Sequence, residues 1–119
     1  MCGVEAVDFL DVYTDKDEVV SRKVRFCNNY WNETMGLRFV KDPEGGAYFP
    51  IGGAVDMLFC KVPLRIIWLT KNHEYISEAH AYPWHPLYLP PWGTGKILEL
   101  PVSNTSKFAP KQRLVIKPI

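Results

Sequence analysis

The region from Val55 to Leu100 constrains the fold of this chain more than any other part of the sequence. Two apolar, strand-like runs, VDMLFCKVPLRIIWL and KILEL, bracket the proline-aromatic segment AYPWHPLYLPPWGTG. Pro63 divides the first run, because proline cannot donate a hydrogen bond within a central strand. We therefore predict one strand over VDMLF, a second over LRIIWLT and a third over KILELP.

Alternating polar and apolar side chains predict two hairpins. HEYISEAHA alternates after a tight turn at Lys71-Asn72, so it is expected to pair back on LRIIWLT. Near the start of the chain, VEAVDFLDVYT and VVSRKVRFC are extended patterns separated by the polar turn TDKDE, and they predict a second antiparallel pair. AYF predicts a brief strand within a glycine-rich and proline-rich loop, and RLVIK predicts the last strand.

Two short segments have the composition of helices. In NNYWNETMGLRF, Asn28 or Asn29 is a suitable N-cap and Gly36 is a suitable stop. In SNTSKFA, Ser103 or Asn104 caps one or two turns that end before Pro110. We therefore predict an α+β fold that is mostly β, with a small curved or barrel-like antiparallel sheet and two short helices.

Composition predicts one globular domain over residues 1–119. Hydrophobic residues make up 47% and charged residues 23%, which excludes a disordered chain. Lys and Arg number 14 against 13 Asp and Glu, so the chain lacks the basic excess of a dedicated nucleic-acid binder. The three cysteines form no CxxC pair, and neither a signal peptide nor a membrane-spanning run is present. These features favour a cytoplasmic protein without membrane association.

The order of four short motifs resembles a known family. GLRF, DMLF, PLRIIWL and LELP follow one another with the spacing of domain of unknown function 192, also called uncharacterised protein family 0127, in an archaeal-type form. The resemblance covers residues 23–116 and implies that residues 1–22 are added N-terminal strands. Met57, Pro63 and Leu64 match family positions, whereas Arg65 stands where members usually have Asp. An arginine can neither accept a proton nor coordinate a cation, and the family itself implies no established activity.

The residues with catalytic or metal-binding chemistry form no convincing site. On an extended strand, Glu74, Glu78 and His80 point to one face while His73 points to the other, and their spacing with His85 fits no zinc signature. Cys60 would need a neighbouring base such as His80, yet it lies in an apolar run where a thiol usually packs as a small hydrophobe. We therefore predict no catalytic residue, no metal and no cofactor, and consider an enzyme the less favoured class.

The proline-aromatic segment is the better candidate for function. Its prolines restrict the backbone and so reduce the entropy that aromatic side chains lose on binding. The rings either fold inward and seal the core or form a binding surface, and the sequence leaves both open. The predicted ligand-binding residues are Tyr82, Trp84, His85, Tyr88 and Trp92.

Three functions follow from this candidate surface. The favoured one is a non-enzymatic binding or interaction module for an unknown protein or small-molecule ligand. The alternative is a single-stranded nucleic-acid binder on a small β-barrel, which would combine these aromatics with nearby basic side chains. An enzyme of unrecognised type is the third. The basic residues of the second hypothesis are Arg22, Lys23, Arg25 and Arg38.

Overall fold

The protein forms one mixed sheet in a computed structural model that describes residues 8–27, 37 and 41–119. The sheet has seven strands in the order β5-β4-β6-β3-β2-β1-β7, and neighbours are antiparallel except for the parallel pair β2 and β3. The strands are β1 (Phe9–Thr14), β2 (Val19–Phe26), β3 (Ala47–Phe49), β4 (Leu64–Leu69), β5 (Tyr75–Ala81), β6 (Lys96–Pro101) and β7 (Leu114–Pro118).

The prediction of an antiparallel, barrel-like sheet with two short helices is wrong. The sheet is open, with β5 and β7 at its two ends, and the parallel pairing of β2 with β3 makes it mixed. Residues 103–109 form no helix, because the Asn104 side chain joins a distant strand and a local turn: its amide donates to Val20 O at 2.7 Å and its carbonyl accepts from Ser106 N at 3.0 Å. The first predicted helix lies outside the described residues. Within those residues, no helix is long and apolar enough to cross a membrane.

The predicted strand VDMLF is also wrong. Only Val55 makes a ladder contact there, an isolated antiparallel bridge to Tyr88. The next residue, Asp56, accepts a hydrogen bond from Leu58 N at 3.1 Å through its carboxylate. Such a local side-chain acceptor favours a turn over an extended strand.

Both predicted hairpins are confirmed, and they share one loop design. β1 pairs with β2 and β4 pairs with β5, each across a Thr-x-x-x-Glu segment whose threonine accepts a backbone hydrogen bond through its hydroxyl. The last loop residue is left-handed in both, with φ of 64° at Asp17 and 66° at His73. This is the geometry of a three-residue hairpin loop, so the second turn extends one residue beyond the predicted Lys71-Asn72.

Alternation along β4 divides the core between the two faces of the sheet. Leu64, Ile66 and Trp68 face a loop-side core that also contains residues from the connections between strands, whereas Ile67 and Leu69 face a strand-side core. The fully buried loop residue Met57 belongs to the loop-side core. The strand-side core contains Leu10, Val12, Val20, Val24, Tyr48, Ile67, Leu69, Leu98, Leu100 and Leu114.

Candidate functional site

Two tight turns lock together beside the end of β5. Cys60 N donates to Met57 O at 3.1 Å in the first turn, and His85 N donates to Tyr82 O at 3.2 Å in the second. Backbone bonds join the turns, because Trp84 N donates to Met57 O at 2.8 Å and Met57 N donates to His85 O at 2.9 Å. The two segments, distant in sequence, therefore form one unit.

Tyr88 anchors this unit to the fold. Its backbone exchanges two hydrogen bonds with Val55, at 2.9 and 2.6 Å, and its hydroxyl accepts from Tyr82 N at 2.9 Å. The Tyr88 side chain packs against the loop-side core. Pro83 fits the second position of its turn, where a fixed φ is favourable. The backbone bridge between Val55 and Tyr88 and the fixed φ of Pro83 therefore both stabilise the linked turns.

An aromatic side chain occupies a glycine-like position in each turn. Phe59 and Trp84 are the third residues of their turns and have φ of 64° and 67°, in the left-handed region. Glycine is the usual residue there, and a side chain in this conformation costs about 1–2 kcal/mol. The two rings contact each other with centroids 5.0 Å apart and planes at 60°. The fold therefore accepts backbone strain to hold two bulky rings together.

These rings face solvent. Phe59 is 46% exposed, Trp84 is 57% exposed and Tyr82 is 63% exposed. We call these three residues the aromatic platform. Leu58, beside Phe59, and Leu87, in the proline-aromatic segment, are exposed as well. An exposed group of large apolar side chains is the usual mark of an interaction surface.

The other predicted ligand-binding residues occupy different environments. His85 is exposed and packs against Tyr88, with ring centroids 4.6 Å apart and planes at 38°. Tyr88 is half-buried, so it seals the core, while Tyr82 and Trp84 face solvent. Trp92 is 98% exposed and follows in the separate turn from Pro91 to Thr94. Within this one segment, one aromatic side chain therefore packs against the core while others are exposed to solvent. Sequence reasoning missed Phe59, because VDMLF has the pattern of a strand.

Arg65 has a structural role at the residue where the resemblance expects Asp. Its guanidinium is buried and donates two hydrogen bonds of 2.8 Å to the Glu78 carboxylate on the neighbouring strand. It also donates to Asn104 O at 2.7 Å. The hydrogen bond from Arg65 is the main reason that the pKa of Glu78 lies below its ordinary value, and the Tyr75 hydroxyl adds a weaker bond at 3.3 Å. This arrangement satisfies a buried cation and leaves it no reactive role.

The histidines and the cysteine do not assemble into a catalytic site. His80 lies on the strand-side face, 3.7 Å from the Glu78 carboxylate, whereas Cys60 is buried in the loop-side core on the opposite face. His73 instead contacts Tyr48, with 2.6 Å between the Tyr48 hydroxyl and Nε2. In the part of the chain that the structure describes, no three His, Cys, Asp or Glu side chains are grouped to hold a metal ion.

Tyr48 and His73 form a neutral pair. Burial raises the pKa of Tyr48 to about 12. Burial, with a smaller contribution from the charges of Lys96 and Arg113, lowers the pKa of His73. At neutral pH the tyrosine therefore keeps its proton and the imidazole is uncharged, so the 2.6 Å contact joins two neutral groups.

Two basic side chains of the nucleic-acid hypothesis lie in exposed ion pairs. Arg22 lies 3.5 Å from Asp11, and Lys23 lies 3.5 Å from Glu44. Arg38 falls outside the described residues. The barrel on which this hypothesis depended is replaced by an open sheet.

Two solved structures share the fold. One is a candidate transcription regulator from Sinorhizobium meliloti 1021, with a TM-score of 0.76 and 16% identity over 93% of this chain and 94% of that one. The other is a protein of unknown function from Novosphingobium aromaticivorans, with a TM-score of 0.73 and 18% identity over 92% of this chain and 84% of that one. No family model matches the chain, and no curated protein matches it. At this level of identity the likeness establishes the fold alone.

Proposed function

We propose that this protein is a non-enzymatic binding module that contacts its partner through the aromatic platform. One observation carries the proposal: Phe59 and Trp84 both adopt the left-handed conformation, and their paired rings are exposed. Backbone strain is typical of functional sites, where the surrounding structure compensates for it. A platform already formed in the free protein also reduces the entropy lost on binding.

The geometry favours a protein partner over a small molecule. Small-molecule sites are concave and bury most of the ligand, whereas Phe59 and Trp84 stand at the tips of two turns with about half of each side chain in solvent. Tyr, Trp and Phe are the residue types enriched at protein interfaces. The partner is therefore a protein that presents an apolar side chain to the two rings.

A random-peptide library displayed on phage provides the probe for this proposal. Peptides selected on the native protein should bind Trp84→Gly at least about tenfold more weakly, because the ring is removed while glycine fits the left-handed backbone. Val102→Ser, which changes an exposed apolar residue at the end of β6, is the control and should bind normally. Selected peptides that bind Trp84→Gly as well as the native chain would exclude the platform.

The Trp92 ring is a separate element of the proposed surface. It has almost full solvent exposure and lies in the turn after the platform. Trp92→Gly in the same peptide assay measures its share. A loss as large as that of Trp84→Gly extends the surface along the whole segment, and unchanged binding confines it to the platform.

Membership of the domain of unknown function 192 family remains a proposal that rests on the order of the sequence motifs. LELP lies within β6, and Pro63-Leu64 leads into the neighbouring β4. The departure at Arg65 is compensated by Glu78, which gives that position a structural explanation within this chain. A cytoplasmic location is likewise an expectation from the sequence.

A further inference from the structure

The two end strands of the sheet are protected unequally. β7 is five residues long, ends in Pro118 and carries Lys117, whose Nζ lies 4.8 Å from the Tyr13 ring centroid. Short strands, proline and lysine are the usual features that prevent an edge from pairing with another chain. β5 has none of these, although it is the strand at the opposite end.

Only the first residue of β5 is occupied on its outer side. Tyr75 N donates to Gln112 O at 2.8 Å, and Lys111 N donates to Tyr75 O at 2.9 Å. Beyond that point, among the described residues, the outward backbone groups of residues 76–81 have no hydrogen-bond partner. A row of available donors and acceptors is the requirement for strand addition.

The side chains of β5 do not block this edge. Glu78 carries a charge on this strand, and two bonds of 2.8 Å from Arg65 of the neighbouring strand hold its carboxylate in place. On the loop-side face, Ser77, Ala79 and Ala81 are small and regularly spaced. Small side chains at these positions leave space on this face of the edge.

We infer that β5 pairs antiparallel with β5 of a second copy of this chain about a twofold axis at Ala79. Symmetry restricts the register of such a pair. Every second residue along a strand directs its backbone groups to the outer edge, so the residues that face each other across the pair must belong to the same alternate set. The residue at the twofold axis must therefore lie opposite the same residue of the second copy. An axis at Glu78 would oppose two carboxylates, and an axis at His80 would oppose two imidazoles.

The register centred on Ala79 makes the edge self-complementary. It places Glu78 of each copy opposite His80 of the other, twice, and it places Ser77 opposite Ala81. His80 is accessible for this contact, since its side chain is 67% exposed, although its Nε2 already lies 3.7 Å from Glu78 Oε2 of its own chain. The match between a strand and itself favours a second copy over an unrelated peptide.

Two substitutions of His80, one to an acidic and one to a basic residue, test this inference. Sedimentation velocity from about 10 µM to about 1 mM should show the native mass rising above the 13.7 kDa of one chain. His80→Glu faces Glu78 with a like charge, so its dissociation constant should rise at least about tenfold. His80→Lys, changed at the same exposed position, should dimerise as tightly as the native chain or more tightly.

Two outcomes would overturn the inference. One is a native chain that stays monomeric at about 1 mM, and the other is a shift of both variants in the same direction. Amide exchange supplies the location, because alternate residues of β5 should exchange more slowly as the protein concentration rises. Trp84→Gly should leave dimerisation unchanged. The dimer and the aromatic platform are therefore tested independently of each other.

Discussion

Replacing Glu78 should reveal how strongly the buried Arg65 depends on one carboxylate. The Arg65 side chain is 8% exposed, and Glu78 accepts two of its three side-chain hydrogen bonds. Glu78→Leu removes both bonds and leaves the buried cation, among the residues that the structure describes, with Asn104 O and the Phe108 ring, which lies 5.8 Å away. The free energy of unfolding should then decrease, because the buried charge of Arg65 has lost its counter-ion and is largely removed from water.

The size of this effect follows from burial. Breaking a buried ion pair by removing one partner costs about 3–5 kcal/mol. We expect about 3 kcal/mol, because the Glu78 side chain is 20% exposed and water can reach the vacated position. For a chain of this length that corresponds to a fall in melting temperature of roughly 12 °C. Arg65→Met should cost less, about 1–2 kcal/mol, because the remaining carboxylate is partly solvated.

Urea unfolding of a double-mutant cycle measures the coupling. The double variant Arg65→Met/Glu78→Leu should lie within about 1 kcal/mol of the native chain, since apolar side chains can replace a buried ion pair at little cost. A cost below about 1 kcal/mol for Glu78→Leu alone would refute the reasoning, and so would additive single effects. Either result would mean that water, rather than Glu78, compensates the charge of Arg65.

The remaining predictions concern a pH dependence, a glycine and the platform. Because the pKa of His73 is lowered from its usual 6.5, the unfolded chain binds more protons below that pH, and the unfolding free energy should decrease as pH falls from about 6.5. His73→Asn, which tolerates the same backbone, should remove this slope in urea titrations. A Cβ at Gly46 would lie 2.0 Å from Glu99 O, and φ there is 97°, so Gly46→Ala should cost more than about 2 kcal/mol in thermal unfolding. Trp84→Ala should destabilise the fold more than Trp84→Gly, since only glycine relieves the strained backbone, and equal melting temperatures would argue against that strain.

Local pattern was sufficient for the strands that pair with their sequence neighbours. The hairpins β1/β2 and β4/β5 could be predicted because alternation and the polar residues of a turn act over a few positions. The same local reasoning failed at VDMLF, where the Asp56 carboxylate accepts a bond from Leu58 N and bends the chain. It also failed at SNTSKFA, where Asn104 binds Val20 O instead of capping a helix. Single side-chain bonds overrode the local sequence pattern in both segments.

The candidate site, like the fold, was only partly predictable from local sequence. The sequence identified Tyr82, Trp84 and Trp92 as a concentration of rigid aromatics, and it could not distinguish exposure from burial. The contribution of Phe59 appears only when Met57 joins the two turns through its backbone. No local pattern could indicate that contact, because it depends on a distant segment being brought beside the loop.

The sequence by itself determined a β-rich chain, its two hairpins and the location of its aromatic segment, since composition and short-range periodicity suffice for those features. The tertiary structure alone decided the parallel pairing of β2 with β3, the open sheet, the burial of Arg65 against Glu78 and the exposure of the platform. Each of these depends on which distant segments meet. That choice is made by the packing of the whole core, which no window of neighbouring residues contains.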